Sequence, residues 1–285
     1  MGKVLSIINM KGGVGKTTLS IGIADYLSST GKNILLIDAD PQFNATQALL
    51  DEYKPQNKDS EKDNYYNRVV IPNKQTIHRL FLSQEDMYHS YAMPTDKDLI
   101  INLKENLSIL CGDLSLVLVN KSNSHTFVTR LRNFIEDNQL KQKYDYIIID
   151  CPPTLTIYTD SALMASDYYL IPNRIDRYSI IGIDSLQKAV NNLIHEERIT
   201  TLKCIGLVYT IVKSDSAKQE NLRISFENKD VVSNLEIFSS HLSETANIQF
   251  GASGPLPTKY QRSREDIEAI SLELLEKIDK IEKEV

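Results

Sequence analysis

Residues 3–18 read Lys3-Val4-Leu5-Ser6-Ile7-Ile8-Asn9-Met10-Lys11-Gly12-Gly13-Val14-Gly15-Lys16-Thr17-Thr18. A short apolar run (Val4, Leu5, Ile7, Ile8) feeds a glycine-rich turn, and the turn feeds a helix-compatible segment beginning near Lys16. Strand, loop and helix in that order are the context of a phosphate-binding loop. Gly12, Gly13 and Gly15 lack a Cβ, so the backbone can curl and aim successive N–H groups at an anion. The positive end of the following helix adds to the same spot. Lys16 is then placed for β- and γ-phosphates, and the Thr17 hydroxyl for Mg²⁺. One position departs from G-x-x-x-x-G-K-[ST]: Met10 stands where the first glycine belongs, and a second lysine, Lys11, follows it. A lysine there is badly placed for its own nucleotide but can reach the phosphates of one held by a facing subunit.

The chain has 285 residues, 41% hydrophobic and 25% charged, enough for one sizeable α/β domain with a proper core. No apolar run approaches the roughly 18 residues a transmembrane helix needs. Lys3 opens straight into a strand, so no signal peptide is expected. Cys111, Cys151 and Cys204 are widely spaced, which suits a reducing cytoplasm and argues against a disulfide framework or zinc site. The net charge of −6 confines any contact with DNA to a local basic patch.

Outward from the loop, a helix is predicted over about Thr17 to Thr30, with Leu19, Ile23, Ala24 and Leu27 on one face and Gly31 as its stop. Asn33 to Asp38 is an apolar run of the kind buried on both sides of a parallel sheet, and it leads into Asp38-Ala39-Asp40-Pro41-Gln42. Residues 51–75 open with eight charges of both signs and no hydrophobic period. They read as a surface insertion, irregular or partly disordered, or as a partner-docking loop. Helices are expected near Gln75 to Met87, His125 to Asp137 and Ser179 to His195. Strands are expected near Leu107 to Leu110, Tyr144 to Asp150, Tyr168 to Pro172 and Lys203 to Thr210. Pro152 and Pro153 end the second of these. Such alternation predicts a single domain over residues 1–285, an α/β fold with a doubly wound, mostly parallel sheet flanked by helices. The informative stretches end at Asn9, Asp40, Asp150 and Asn173, at strand carboxyl ends where such sheets bind ligands. An amphipathic helix closes the chain at about residues 263–283: Ile267, Ile270, Leu274, Ile278 and Ile281 repeat at helical spacing, and Ser263-Arg264-Glu265-Asp266 offers a capping arrangement.

Strand alternation puts Asp38 and Asp40 on one side, facing the loop. Asp150 ends a second buried strand and can hold Mg²⁺ through a bound water. Phosphoryl transfer needs positioning and charge neutralisation more than covalent chemistry, and Lys16, Thr17, Asp40 and Asp150 supply both. Asp40 is assigned to orient the attacking water.

Met10 to Thr18 resembles the deviant Walker A motif of the ParA/MinD superfamily. Ile37-Asp38-Ala39-Asp40-Pro41-Gln42, with Asn44-Ala45-Thr46, resembles the second signature of ParA-type ATPases, and Asp145 to Pro153 resembles their Walker B segment. Leu170-Ile171-Pro172, Gly206 to Thr210 and Leu242 to Ala246 are weaker matches. The resemblance spans essentially the whole chain. It implies ATP and Mg²⁺ as cofactors, with Lys11, Gly12, Gly13, Val14, Gly15, Lys16, Thr17 and Thr18 around the nucleotide and Thr17, Asp40 and Asp150 serving the metal. It further implies an ATP-sandwich homodimer, Lys11 reaching the partner's nucleotide, and hydrolysis that is slow until a partner stimulates it. No helix-turn-helix is expected before the first strand, as in the short ParA type, which partitions plasmids or chromosomes. Such a protein would be cytoplasmic, bind DNA nonspecifically on the nucleoid when ATP-bound, and meet a small centromere-binding or adaptor protein. Basic clusters that suit phosphate contact are Lys213, Lys218 and Arg223; Lys259, Arg262 and Arg264; and Arg174 with Arg177; each reads equally as a solvated face. Where chromosomal relatives carry Pro-Arg-Asn before the Leu-Ser-Glu segment, this chain has Ser240-His241. The alternative is a MinD-like membrane-associated ATPase, but the mixed-to-acidic polar face of the last helix would not attract anionic lipid. A metabolic ligase or an iron–sulfur reductase on the same scaffold is a third possibility, and the cysteine spacing speaks against the reductase.

Overall fold

The computed structural model describes residues 1–55, 64–82, 93–118, 125–198, 201–213, 217–250 and 252–284. The apolar run before the glycine-rich turn is β1 (Lys3–Ile7), at the centre of an eight-stranded sheet. The other strands are β2 (Ile34–Asp38), β3 (Ile101–Lys104), β4 (Leu107–Leu110), β5 (Tyr146–Asp150), β6 (Tyr168–Arg174), β7 (Lys203–Val212) and β8 (Ile237–Ser243). Their order is β3-β4-β2-β5-β1-β6-β7-β8; every neighbouring pair is parallel except the β3–β4 hairpin at one edge.

Among the described residues seven helices run eight residues or more: α1 (Lys16–Ser29), α2 (Asn44–Tyr53), α3 (Arg130–Asp137), α4 (Ile157–Ala165), α5 (Ser179–Glu197), α6 (Ala217–Glu227) and α7 (Gln261–Lys283). They form two layers. One core joins α1, α2 and α7 to the sheet through Leu19, Ile23, Leu49, Ile267, Ile270 and Leu274. The other joins α3, α4, α5 and α6 to the opposite face through Leu131, Phe134, Leu163, Leu186 and Phe226. The central strands are buried on both faces, which is why they read as unbroken apolar runs rather than alternating ones. The expected doubly wound α/β fold is the one found.

Several local expectations are corrected. The helix expected over 125–137 is two pieces, His125–Val128 and α3. Of the helix expected from Gln75 to Met87, a 3₁₀ turn at Ile77–Phe81 is present, and residues 83–87 lie outside the described residues. The stretch read as an irregular insertion, 51–75, is structured at both ends: α2 runs to Tyr53 and a π-helical turn spans Tyr66–Val70. Tyr66 is buried, stacks on Phe43 with ring centroids 4.8 Å apart, and donates to the Gly112 carbonyl at 3.0 Å. Residues 56–63 lie outside the described residues. Ser263 does not cap α7, whose N-cap is Tyr260; it is buried in the first turn and donates to the Pro257 carbonyl at 2.6 Å. Asp266 instead accepts from the Ser243 N–H at 2.8 Å, tying α7 to the end of β8.

Candidate functional site

The glycine-rich loop fills the gap between β1 and α1 at the carboxyl end of the central strand. Gly13 and Gly15 hold φ of 70° and 79°, the left-handed region that glycine enters without cost. A Cβ on Gly12 or Gly13 would meet nothing within 4 Å, so this side of the loop is an open cradle. The loop is braced from behind: the Thr210 hydroxyl of β7 donates to the Val14 carbonyl at 2.6 Å. At its entrance the Asn9 side chain donates to the Pro172 carbonyl at 2.8 Å and accepts from the Lys11 N–H at 3.1 Å. Neither Asn9 nor Thr210 was assigned a role from sequence. Asn9 lies just past a strand end that reads as site, whereas Thr210 is almost two hundred positions from the loop it supports.

Lys16 is buried and its ammonium donates to the Lys11 carbonyl at 3.1 Å. Burial pulls it below the usual lysine range, while the Asp150 and Asp40 carboxylates oppose the shift. Asp150, at the end of β5, is also buried. Its Oδ1 accepts from the Ser20 hydroxyl at 2.9 Å, and its Oδ2 has no partner. Burial pushes this carboxyl up, against the pull of the Thr17 and Ser20 hydroxyls and of Lys16. Ser20 sits one helical turn after Lys16, so i,i+4 spacing puts it on the same face, a signal present in the sequence.

The two carboxylates of the second motif play different parts. Asp38 is fully buried and directly opposite Asp150 in the β2–β5 register. Its Oδ2 accepts from the Thr46 N–H and hydroxyl, both at 2.8 Å, and its Oδ1 faces the Asp40 N–H at 3.3 Å. Burial first, then the charge of Asp150, pushes its carboxyl well up. The expectation that alternation turns Asp38 and Asp40 together toward the loop is corrected. β2 ends at Asp38, so the strand period does not reach Asp40, and the start of α2 occupies the Asp38 carboxylate. Asp40 stands in the following turn, accepting from the Gln42 N–H at 2.9 Å, and its charge acts on Lys16, Asp150 and Asp38.

Lys11 lies along α5. A Cβ on Gly182 would come within 2.8 Å of Asn9 Oδ1 and 3.3 Å of Lys11 Cβ, so only glycine lets the helix approach this closely. The Lys11 ammonium pairs with Asp176, in the loop between β6 and α5. In the same segment Tyr178 and Ile181 are exposed by more than half.

The cations considered for DNA fall on opposite faces of the sheet, Lys213, Lys218 and Arg223 about α6 and Lys259, Arg262 and Arg264 about α7. Lys213 pairs with Glu244 at 3.6 Å, Arg223 with Glu220 at 2.6 Å and Lys259 with Glu52 at 2.5 Å. Arg174 and Arg177 are exposed at the end of β6.

The site suits a nucleotide carrying Mg²⁺. The open glycine cradle, the buried lysine and the unpartnered Asp150 oxygen fit phosphate and a metal-bound water. Among the described residues no cluster of three or more His, Cys, Asp and Glu is placed to hold a metal ion.

A family profile described as an AAA domain matches residues 2–203. Sporulation initiation inhibitor protein Soj of Bacillus subtilis is 32% identical over 212 residues, 74% of this chain and 74% of that protein. Chromosome partitioning protein ParA of Myxococcus xanthus is 32% identical over 216 residues, 75% of this chain and 66% of that protein. The structure of apo McdA from Cyanothece matches with a TM-score of 0.75, covering 96% of this chain and 100% of that one at 23% identity, a likeness of fold.

Proposed function

The chain belongs to the ParA/MinD-type P-loop ATPases, and on that premise we propose that it is an ATP-hydrolysing partition protein. Two subunits close on ATP, the closed dimer binds DNA without regard to sequence, and a centromere-binding or adaptor protein stimulates a slow hydrolysis. It works in the cytoplasm, on the nucleoid when ATP-bound. The observation that carries the dimer is Lys11. It sits at the mouth of the loop, paired with Asp176 and packed beside Gly182 of α5, in a segment whose Tyr178 and Ile181 are exposed. Exposed apolar side chains beside a cation are what a second copy would cover.

In this reading Gly12, Gly13, Val14 and Gly15 present backbone N–H groups to the phosphates, and Thr18 stands with Thr17 at the first turn of α1. Lys16 leaves the Lys11 carbonyl for the β- and γ-oxygens. The Thr17 hydroxyl, Asp150 and Asp40 would serve the metal, Asp150 being fixed on one oxygen by Ser20 with the other free. Asp40 would orient the attacking water. When bound, Mg²⁺ neutralises charge on the phosphates.

Against the membrane alternative stands the last helix: the apolar stripe of α7 (Ile267, Ile270, Leu274, Ile278) is buried in the protein's own core. ATP-dependent sedimentation with anionic liposomes would reverse that judgement. The decisive experiment measures ATP hydrolysis with and without nonspecific duplex DNA, alongside a gel-shift salt series. ATP-loaded protein that ignores duplex DNA even at low ionic strength ends the partition reading.

A further inference from the structure

Phe43, between the turn that carries Asp40 and the first residue of α2, holds a left-handed backbone with φ of 42°. A bulky side chain rarely adopts that region, and it stays there only where its surroundings hold it. The support comes from the stretch that reads in the sequence as a surface insertion. The Tyr66 ring stacks on that of Phe43, centroids 4.8 Å apart and planes 12° from parallel. Its hydroxyl donates to the Gly112 carbonyl at 3.0 Å. The Gly112 N–H donates to the Thr46 hydroxyl at 2.8 Å, and that hydroxyl donates to Asp38 Oδ2 at 2.8 Å. The circuit closes on Asp40: its N–H faces Asp38 Oδ1 at 3.3 Å, and its carbonyl accepts from the Phe43 N–H at 2.9 Å. Packing leaves little slack, since a Cβ on Gly112 would lie 2.8 Å from Phe43 Cβ and 3.0 Å from Asp38 Cγ. Tyr66 is itself fixed. It is buried, and the chain after it is pinned beyond the end of β4, where the Ile77 N–H donates to the Cys111 carbonyl at 2.8 Å and the Thr76 hydroxyl to Asp113 at 2.7 Å.

We propose that Tyr66 is a positioning residue for hydrolysis: stacked on Phe43 and bonded to Gly112, it holds the turn that aims Asp40. The inference rests on the reading of Asp40 above and names what sets its geometry. Asp40 lies past the end of β2, so no strand ladder fixes it. Its place is set from either side, by Asp38, which Thr46 holds, and by Phe43, whose backbone is strained. Without the Tyr66 ring, Phe43 relaxes toward the right-handed region, and the turn that carries Asp40 moves with it. A group that orients a water tolerates little of this, since a misplacement of about 1 Å can cost about 10²-fold in rate. The bonds of this circuit involve no residue of the glycine-rich loop, so the hold on nucleotide stays as it was. Tyr66 therefore acts on the rate and leaves the affinity alone.

The test uses the full chain and two measurements, single-turnover hydrolysis of Mg²⁺–ATP and ATP affinity by titration calorimetry. Tyr66→Phe keeps the ring and removes only the bond to Gly112, whereas Tyr66→Ala removes both. The rate should fall about threefold in the first and at least about tenfold in the second, with affinity held within about twofold. Phe43→Gly supplies a readout that a merely structural role would not move. Glycine enters the left-handed region without cost, so on that background Tyr66→Ala should slow hydrolysis by no more than about threefold, the share of the lost hydrogen bond. Unchanged rates in both Tyr66 variants overturn the proposal. So does a fall in affinity that matches the fall in rate, or a Tyr66→Ala loss as large with Phe43→Gly as without it. Tyr66→Phe preserves the packing, so its rate and affinity decide the matter if the alanine variant does not fold. Asp40→Ala, run alongside, separates the proposal from the reading beneath it. Normal hydrolysis there ends the assignment of Asp40 and the positioning role with it; slow hydrolysis there, beside normal rates in the Tyr66 variants, overturns the positioning role alone.

Discussion

Lys16 is enclosed by the loop it serves; burial lowers its pKa, and the charges of Asp150 and Asp40 oppose that shift. Lys16→Ala removes the ammonium and its bonds to phosphate, each worth roughly 1.5–3 kcal/mol when one partner is ionised. ATP affinity by titration calorimetry should fall by at least about tenfold; unchanged affinity would contradict the assignment of the loop. Asp40→Ala should behave differently. Its carboxylate makes one local bond, to the Gln42 N–H, so nucleotide binding survives, while hydrolysis in single turnover drops by about 10²–10⁴-fold, the usual worth of a proton-handling or water-orienting group. Asp38 makes a prediction about stability instead. Its carboxyl is pushed from an ordinary 3.8 to about 8, first by burial and then by the charge of Asp150. A carboxyl raised by folding binds its proton more tightly in the folded chain. The stability it contributes is therefore fully present below the unfolded pKa and lost as pH rises through the folded one. Nucleotide-free protein should lose stability between about pH 4 and about pH 8, by a few kcal/mol at most, and thermal melts across that range read it directly. A flat profile would mean that the Thr46 N–H and hydroxyl are enough to keep Asp38 ionised.

At the scale of elements, α1 and α7 meet at Gly22. A Cβ there would lie 2.6 Å from Ile267 Cδ1 and 2.9 Å from Pro257 Cγ, and the proline ring has little freedom to move aside. Gly22→Ala gains about 1 kcal/mol of helix propensity and meets an overpacking cost of roughly 1–3 kcal/mol. A net loss of stability in urea denaturation is expected, whereas a gain would show that α7 slides freely on α1. The same pair shows how legible the elements were. The central strands and α1 were readable because full burial leaves an uninterrupted apolar signal, and the last helix because its apolar spacing is regular. The edges were not. β3 (Ile-Asn-Leu-Lys) and β8 (Ile-Phe-Ser-Ser-His-Leu-Ser) carry polar residues on the face that water reaches, so each looks like loop until the sheet supplies its neighbour. The start of α7 lies two residues earlier than expected, because Ser263 bonds back to Pro257, a partner chosen by the tertiary fold. For the site the division is similar. Lys11, Lys16, Thr17 and Asp150 follow from local motifs on successive strands. Asp176 could not be attached to Lys11, 165 positions earlier, before the β1–β6 pairing put their strand ends side by side.

At the scale of the whole molecule the difficulty is charge. A chain of net charge −6 that is to hold a DNA phosphate backbone needs a local surface, and three of the cations considered for that role already face acids. Lys213 pairs with Glu244, Arg223 with Glu220 and Lys259 with Glu52, each across a partly exposed surface where an ion pair is worth about 1 kcal/mol or less. Such pairs are weak enough for phosphate to displace, but every displacement leaves an acid facing the DNA. Binding should therefore be shallow in affinity and steep in salt, each neutralised phosphate adding about −0.9 to the slope of log K against log salt. If two subunits close on ATP as proposed, the number of cations on one particle doubles, so binding is expected from the loaded dimer and not from the monomer. Glu244→Gln isolates the argument, because it frees Lys213 and touches neither the loop nor the carboxylates around it. In the ATP-loaded Asp40→Ala protein this change should raise affinity for random duplex DNA a few-fold at low salt and steepen the slope by about 1 per added phosphate contact. Glu52→Gln, which frees Lys259 on the other face of the sheet, separates the two surfaces: the one that contacts DNA responds to its own substitution, and the other stays as it was. If neither moves the gel-shift series, the contact lies elsewhere, and Arg174 and Arg177, exposed at the end of β6, become the residues to replace.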